Sequence, residues 1–107
     1  MTTFDDRQQA FEAKYVRDEE MAFRITARRN RLVGNWAAGL MKLTPEEADA
    51  YAKAVVHAEF EEAGDADVVR KLVADLTAAG VDIDEAQVRR ALDEQMVEAR
   101  RQLMESH

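Results

Sequence analysis

A chain of 107 residues with 15 Lys and Arg against 22 Asp and Glu, a net charge of −7 and no cysteine fits one domain and excludes disulfides, thiolate metal sites and cysteine nucleophiles. The acidic balance disfavours general binding to nucleic acid or to an anionic membrane surface. No stretch approaches the roughly 18 apolar residues of a membrane span, and the N-terminus is acidic where a secretory signal is basic and then apolar, so a cytoplasmic protein without membrane insertion is expected.

One proline, scarce β-branched runs and abundant Ala, Glu, Arg and Leu favour helix almost everywhere, which predicts an all-α class with no strand. Residues 1 to 19 stand apart. Phe4, Phe11 and Tyr15 are nearly their only large apolar groups, yet they fall on one helical face. With Asp18, Glu19 and Glu20 adjacent, the segment has too little apolar surface to hold itself on a bundle, and an isolated helix of this length is marginal. The expectation is a mobile amphipathic helical segment at 1–19, whose three aromatics can contribute roughly 5 to 9 kcal/mol gross when buried in a partner. The opposing reading is that the segment extends the first helix and packs its aromatics on the bundle edge.

A bundle over 20–107 follows, with helices at about 20–42, 45–63, 66–79 and 85–104. Residues 1 to 20 carry three basic and six acidic side chains, whereas residues 21 to 43 carry five basic and none acidic. Within the basic half, Arg28, Arg29 and Arg31 form a cluster beside Asn30. Such a cluster can hold a phosphate, a nucleotide or an acidic partner surface through paired guanidinium contacts, or it can pair internally with the acidic second helix. Gly34 and Gly39 each cost a helix about 1 kcal/mol against alanine, which points to close helix contact at both. The apolar stripe of this helix is read as Ile25, Leu32, Trp36 and Leu40.

Thr44, Pro45, Glu46 and Glu47 form a capping box with proline at the first helical position. The second helix should stop at Gly64, after which Asp65 or Asp67 caps the third. That third helix ends at Gly80, and Asp84 with Gln87 forms the capping box of the fourth. Stripes at Ala48, Tyr51, Ala52 and Val55, at Val69, Leu72, Val73 and Leu76, and at Val88, Leu92, Met96, Ala99 and Leu103 recur every three or four residues and imply a four-helix bundle. Met21, Met41 and Met96 are read as core gap-fillers.

Chemistry has few candidates. His57 and Glu61 are one helical turn apart but have no third ligand partner, and Ser106, the only serine, sits at the chain's end. No Gly-rich phosphate loop occurs. The sequence therefore predicts neither catalytic residues, nor a metal, nor a cofactor.

Several segments taken together resemble a known family: Phe4 to Phe11 (FDDRQQAF), Ala27 to Asn30 (ARRN), Gly34 to Ala38 (GNWAA), Tyr51 to Val56 (YAKAVV) and Glu59 to Arg70 (EFEEAGDADVVR). The chain is similar along its length to the zeta subunit that inhibits the F-type ATP synthase of certain bacteria. The resemblance implies a four-helix bundle whose mobile N-terminal segment folds into a helix and wedges into a catalytic interface of F1, blocking ATP hydrolysis. Carried over by position, Phe4, Asp5, Arg7, Phe11, Glu12, Lys14 and Tyr15 belong to the inhibitory segment, the aromatics as anchors and the charges as register-setting contacts. The implied partners are the catalytic and rotor subunits of F1, met by a chain that is monomeric when free and peripheral to the inner membrane. Weak ATP or ADP binding at Arg28, Arg29 and Arg31 suits that setting.

Overall fold

A computed structural model describes the backbone of residues 2–59 and 65–105, with side chains from residue 19 onward. Four helices account for it: α1 (Thr2–Leu40), α2 (Pro45–Ala58), α3 (Ala66–Ala78) and α4 (Glu85–Glu105). Among the described residues there is no strand, and no helix is long and apolar enough to cross a membrane. The all-α four-helix architecture matches the sequence reading.

The first helix is longer than expected. It starts at Thr2 and ends at Leu40, a run of 39 residues, because no glycine or proline interrupts positions 2–33. At 1.5 Å per residue it spans about 58 Å, which sets the long dimension of a molecule measuring 65 × 26 × 21 Å. The segment 1–19 is thus continuous in backbone with the helix that enters the bundle, while the side chains of its proposed anchors lie outside the described residues. The second helix closes at Ala58 with Glu59 as its C-cap, short of the expected residue 63. The expected stop at Gly64 lies outside the described residues.

Both predicted capping boxes are present. Thr44 and Glu47 exchange bonds: the Glu47 amide donates to Thr44 Oγ1 at 3.2 Å and the Thr44 amide to Glu47 Oε1 at 2.9 Å. Asp84 and Gln87 do the same at 2.8 and 2.9 Å. Asp65 is the exception. It occupies the N-cap of α3 in a helical conformation and makes no side-chain cap bond, because its carboxylate is committed to Arg29.

The core consists of Val33, Ala37, Val55, Ala58, Val68, Val69, Leu72, Leu76, Val88 and Leu92, with Trp36, Met41, Tyr51, Val73, Val81 and Ile83 packed against it. The stripes of α2, α3 and α4 fall inward largely as read. On α1 the inward face is rotated from the expected one. Val33, Ala37 and Ala38 are buried together with Arg29 and Asn30, whereas Ile25, Leu32 and Trp36 are half-buried flanks and Leu40 is exposed. The physical reason is that α1 packs against both α2 and α4, so its centre line must be narrow. A Cβ placed on Gly34 would sit 2.7 Å from Ala52 Cα. Gly39 plays no such part, since a Cβ there meets nothing within 4 Å. Of the three methionines read as gap-fillers, Met41 packs on the core; Met21 and Met96 are half-buried.

Two helices end by the same device. The Leu43 amide donates to Ala38 O and the Lys42 amide to Gly39 O, as the Val81 amide donates to Leu76 O and the Gly80 amide to Thr77 O. Each motif needs a left-handed residue: Gly80 supplies it at φ 83° without a Cβ, while Lys42 adopts φ 59° against its own Cβ.

Lys42→Gly should therefore stabilise the fold by about 0.5–1 kcal/mol, the relief of the left-handed strain outweighing the added freedom of the unfolded chain. Gly39→Ala should stabilise by a similar amount, about 0.5–1 kcal/mol, from helix propensity. Gly34→Ala should instead cost about 1–3 kcal/mol by forcing α1 off α2. Urea unfolding of the three variants checks the signs; a stabilising Gly34→Ala would contradict the close approach.

Candidate functional site

The arginine cluster can be built from the helix upward. Arg28, Arg29 and Arg31 lie at successive angles around α1, so the helix cannot aim all three at one point. Arg29 faces inward and is only 4% exposed. Its Nε and Nη2 donate to Asn30 Oδ1 at 3.0 and 2.8 Å, and Nη1 and Nη2 donate to Asp65 Oδ2 and Oδ1 at 3.2 and 2.8 Å. Glu59 Oε2 stands 3.5 Å from Nη2 and accepts from Asn30 Nδ2 at 3.3 Å. This polar cluster ties α1 to the last residue before the α2–α3 connection, Glu59, and to the first residue described after it, Asp65.

Arg28 and Arg31 face outward and away from each other's partners. Arg28 Nη1 donates to Gln102 Oε1 of α4 at 2.8 Å, and Arg31 pairs with Asp49 of α2 at 3.3 Å. The structure therefore does not bring the three guanidinium groups together around a common point. It distributes them to three helices and the α3 N-terminus, in line with the internal-pairing reading. Partners expected from the acidic second helix are found in Asp49 and Glu59, but Asp65 lies beyond it.

Two carboxylates beside one buried guanidinium are driven apart in proton affinity. The hydrogen bonds from Arg29 hold Asp65 below the ordinary carboxylate range against a smaller opposing effect of burial. Burial raises Glu59, with Arg29 and Asn30 pulling the other way. All buried side-chain nitrogens and oxygens among the described residues have a partner, so the cluster leaves no donor waiting for a ligand.

A second feature escaped the sequence reading. Phe23, 57% exposed, stands at the mouth of a groove of about 320 Å³ lined by Arg24, Ala27, Arg28, Arg31, Val56 and Leu103. Its signal in the sequence is the run from 21 to 43 with no acidic residue, in which the sequence reading singles out Arg28, Arg29 and Arg31 but neither Phe23 nor Arg24. His57 is exposed and lines a shallow depression with Ala54, Ala58, Asp67 and Lys71, and its proposed co-ligand Glu61 lies outside the described residues. Among the described residues no cluster of three or more His, Asp or Glu could hold a metal ion.

Comparison with known proteins gives a single direction. A family model described as ATPase inhibitor subunit zeta matches residues 1–102. No curated protein matches the chain. A protein of known solution NMR structure is 44% identical over 81% of this chain and 99% of its own, with a TM-score of 0.72.

The Arg29 cluster yields an asymmetric prediction. Asp65→Asn should cost about 1–3 kcal/mol at neutral pH, below the full penalty of breaking a buried pair because Asp65 is partly exposed and Glu59 remains. Glu59→Gln should cost less than about 1 kcal/mol there, since the amide still accepts from Asn30 and the buried negative charge is gone. The pH dependence follows from the signs. Asp65, lowered, contributes stability that is present above its ordinary value and lost as pH falls through the lowered one. Glu59, raised, binds its proton more tightly when folded, so its contribution is present below the ordinary 4.5 and is lost as pH rises through the raised value. The stability of the unsubstituted chain relative to Glu59→Gln should therefore fall as pH climbs from about 4.5, which denaturant titrations at several pH values measure directly.

Proposed function

The chain belongs to the ATPase inhibitor subunit zeta family, and on that premise we propose that it inhibits ATP hydrolysis by the F1 sector of F-type ATP synthase. Residues 1–19 are the inhibitory element: they leave their helical continuation, or remain part of it, as they wedge into a catalytic interface and block rotation. The bundle is the second anchor. The observation that carries this reading is the family match from residue 1 through 102, which includes the N-terminal segment as well as the bundle.

Physical chemistry supports the assignment of roles. A segment with three aromatics among eight charges buries enough apolar surface in a partner to bind, but too little to fold independently. Phe4, Phe11 and Tyr15 are its anchors, while Asp5, Arg7, Glu12 and Lys14 set register and orientation. Tethering to a bundle that touches the same enzyme raises the local concentration of the segment and turns weak docking into useful affinity. The partners on this reading are the catalytic and rotor subunits of F1, and the chain itself needs no catalytic group.

The alternative is a small helical nucleotide-sensing module without inhibitory activity, using Arg28, Arg29 and Arg31. It is served poorly by the observed geometry, because Arg29 is buried and fully engaged, on the opposite side of α1 from the solvent face that Arg28 and Arg31 share.

Added to purified F1, the full chain should suppress ATP hydrolysis, and a chain lacking residues 1–19 should lose that effect while keeping its thermal transition. Replacing Phe4, Phe11 and Tyr15 together by alanine should weaken inhibition by at least about 100-fold, each lost anchor contributing 1 kcal/mol or more. Inhibition undiminished by the truncation would defeat the reading. Amide shifts centred on the arginines during an ATP titration would favour the alternative.

A further inference from the structure

Five basic and no acidic residues occupy positions 21 to 43 of a chain whose net charge is −7. On α1, Arg24, Arg28 and Arg31 recur at spacings of four and three and so share one face. All three are exposed, and they rim the groove whose floor is Ala27, Val56 and Leu103, contributed by α1, α2 and α4, with Phe23 at its mouth. Beneath Phe23 a recess of about 30 Å³ opens between Thr26, Ala27, Asn30, Val56 and Glu59. That recess has room for one small apolar group.

The internal partners of these arginines leave the rim positive. Gln102, which accepts from Arg28, is neutral. Asp49 meets Arg31 through one oxygen at 3.3 Å with both side chains about half exposed, a pair of little energetic weight and three to four bonds short of what a guanidinium can donate. The rim covers eight residues, seven helical steps or about 10 Å of helix, which is too long for one phosphate and suited to a row of carboxylates. An apolar floor beside a charged wall disfavours a fully polar occupant.

We propose that this groove receives an acidic amphipathic helix of the enzyme that the chain inhibits, with carboxylates one turn apart along the Arg24, Arg28 and Arg31 rim and one small apolar side chain in the recess. The inference deepens the inhibitor reading and rests on it, giving the bundle's anchoring role a surface and its partner a chemistry. The arginine rim begins four residues after the Glu20 that closes the acidic segment, on the same helix. A partner engaged by residues 1–19 is therefore carried directly onto the rim.

Titration of F1 hydrolysis at about 0.02 M and about 0.5 M salt tests the surface, because contacts between exposed charges are screened at the higher value. The Arg24→Glu, Arg28→Glu double variant and the Phe23→Ser variant should retain full inhibition at saturation. At low salt the double variant should require at least ten times more protein, with most of that gap gone at high salt. Phe23→Ser should show a smaller loss at both salts, and Arg24→Lys with Arg28→Lys should restore most of the affinity. Thermal transitions like that of the parent chain establish that the exposed substitutions leave the fold intact. Variants that titrate like the parent at both salts overturn the groove assignment while leaving the inhibitor reading in place. So does a parent chain that dimerises at low salt through these arginines with inhibition unaffected, since a second copy is then the occupant. A parent chain that fails to inhibit at all removes both proposals together.

Discussion

A guanidinium that is 4% exposed cannot be left uncompensated, and the way Arg29 is satisfied organises much of this molecule. Removing such a charge from water costs several kcal/mol unless nearly every donor is matched. Arg29 meets that demand with Asn30 beside it on α1, Glu59 at the end of α2 and Asp65 at the start of α3. The same contacts decide local structure. Asp65 gives up the capping role its position invites, and Glu59 turns toward α1 where the second helix closes. The α2–α3 connection is thereby held to α1 at both of its described ends.

Fixing Arg29 inward also fixes the rotation of α1. One turn further on, Val33 reaches the core, followed by Ala37, and Gly34 lies against Ala52 with no space for a methyl group. The apolar and polar parts of this face are thus interdependent: the close approach at Gly34 brings α2 near enough for Glu59 to reach the Arg29 cluster, and the cluster opposes sliding of α2 along α1. The large residues Leu32 and Trp36 then fill the flanks instead of the centre. Outward, the same rotation presents Arg24, Arg28 and Arg31 on the solvent face.

Much of the fold was legible in the sequence because its punctuation is local. Thr44 to Glu47, Gly80, and Asp84 to Gln87 each act over three or four residues, and each does what its chemistry dictates. The misses were non-local. Helical periodicity placed Ile25, Leu32, Trp36 and Leu40 on one stripe, but it could not reveal that α1 would be packed on two sides, where small residues win the centre. The arginine cluster was visible as composition, yet which guanidinium turns inward depends on the rotation of α1 in the bundle. Asp65 looked like a cap because a capping residue and an ion-pair partner are the same amino acid until a distant arginine is placed beside it. The groove at Phe23 was hidden for a similar reason, being assembled from three helices that are separate in sequence.

The proposed inhibitory segment and the proposed anchor share one helix, and this has a mechanical consequence. A flexible linker would make the two contacts nearly independent, coupled only through effective concentration. A continuous helix couples orientation as well, because each residue between the sites advances 1.5 Å and turns about 100°. Insertion or deletion of one residue near positions 19–22 would rotate the segment relative to the Arg24, Arg28 and Arg31 face by that angle, whereas a flexible connection would absorb the change. On this view the acidic run Asp18, Glu19 and Glu20 separates two chemically distinct halves without interrupting the element that joins them. The Arg29 cluster then bears on function at a distance, since it holds the angle at which α1 leaves the bundle and hence the direction in which the segment is offered to its partner.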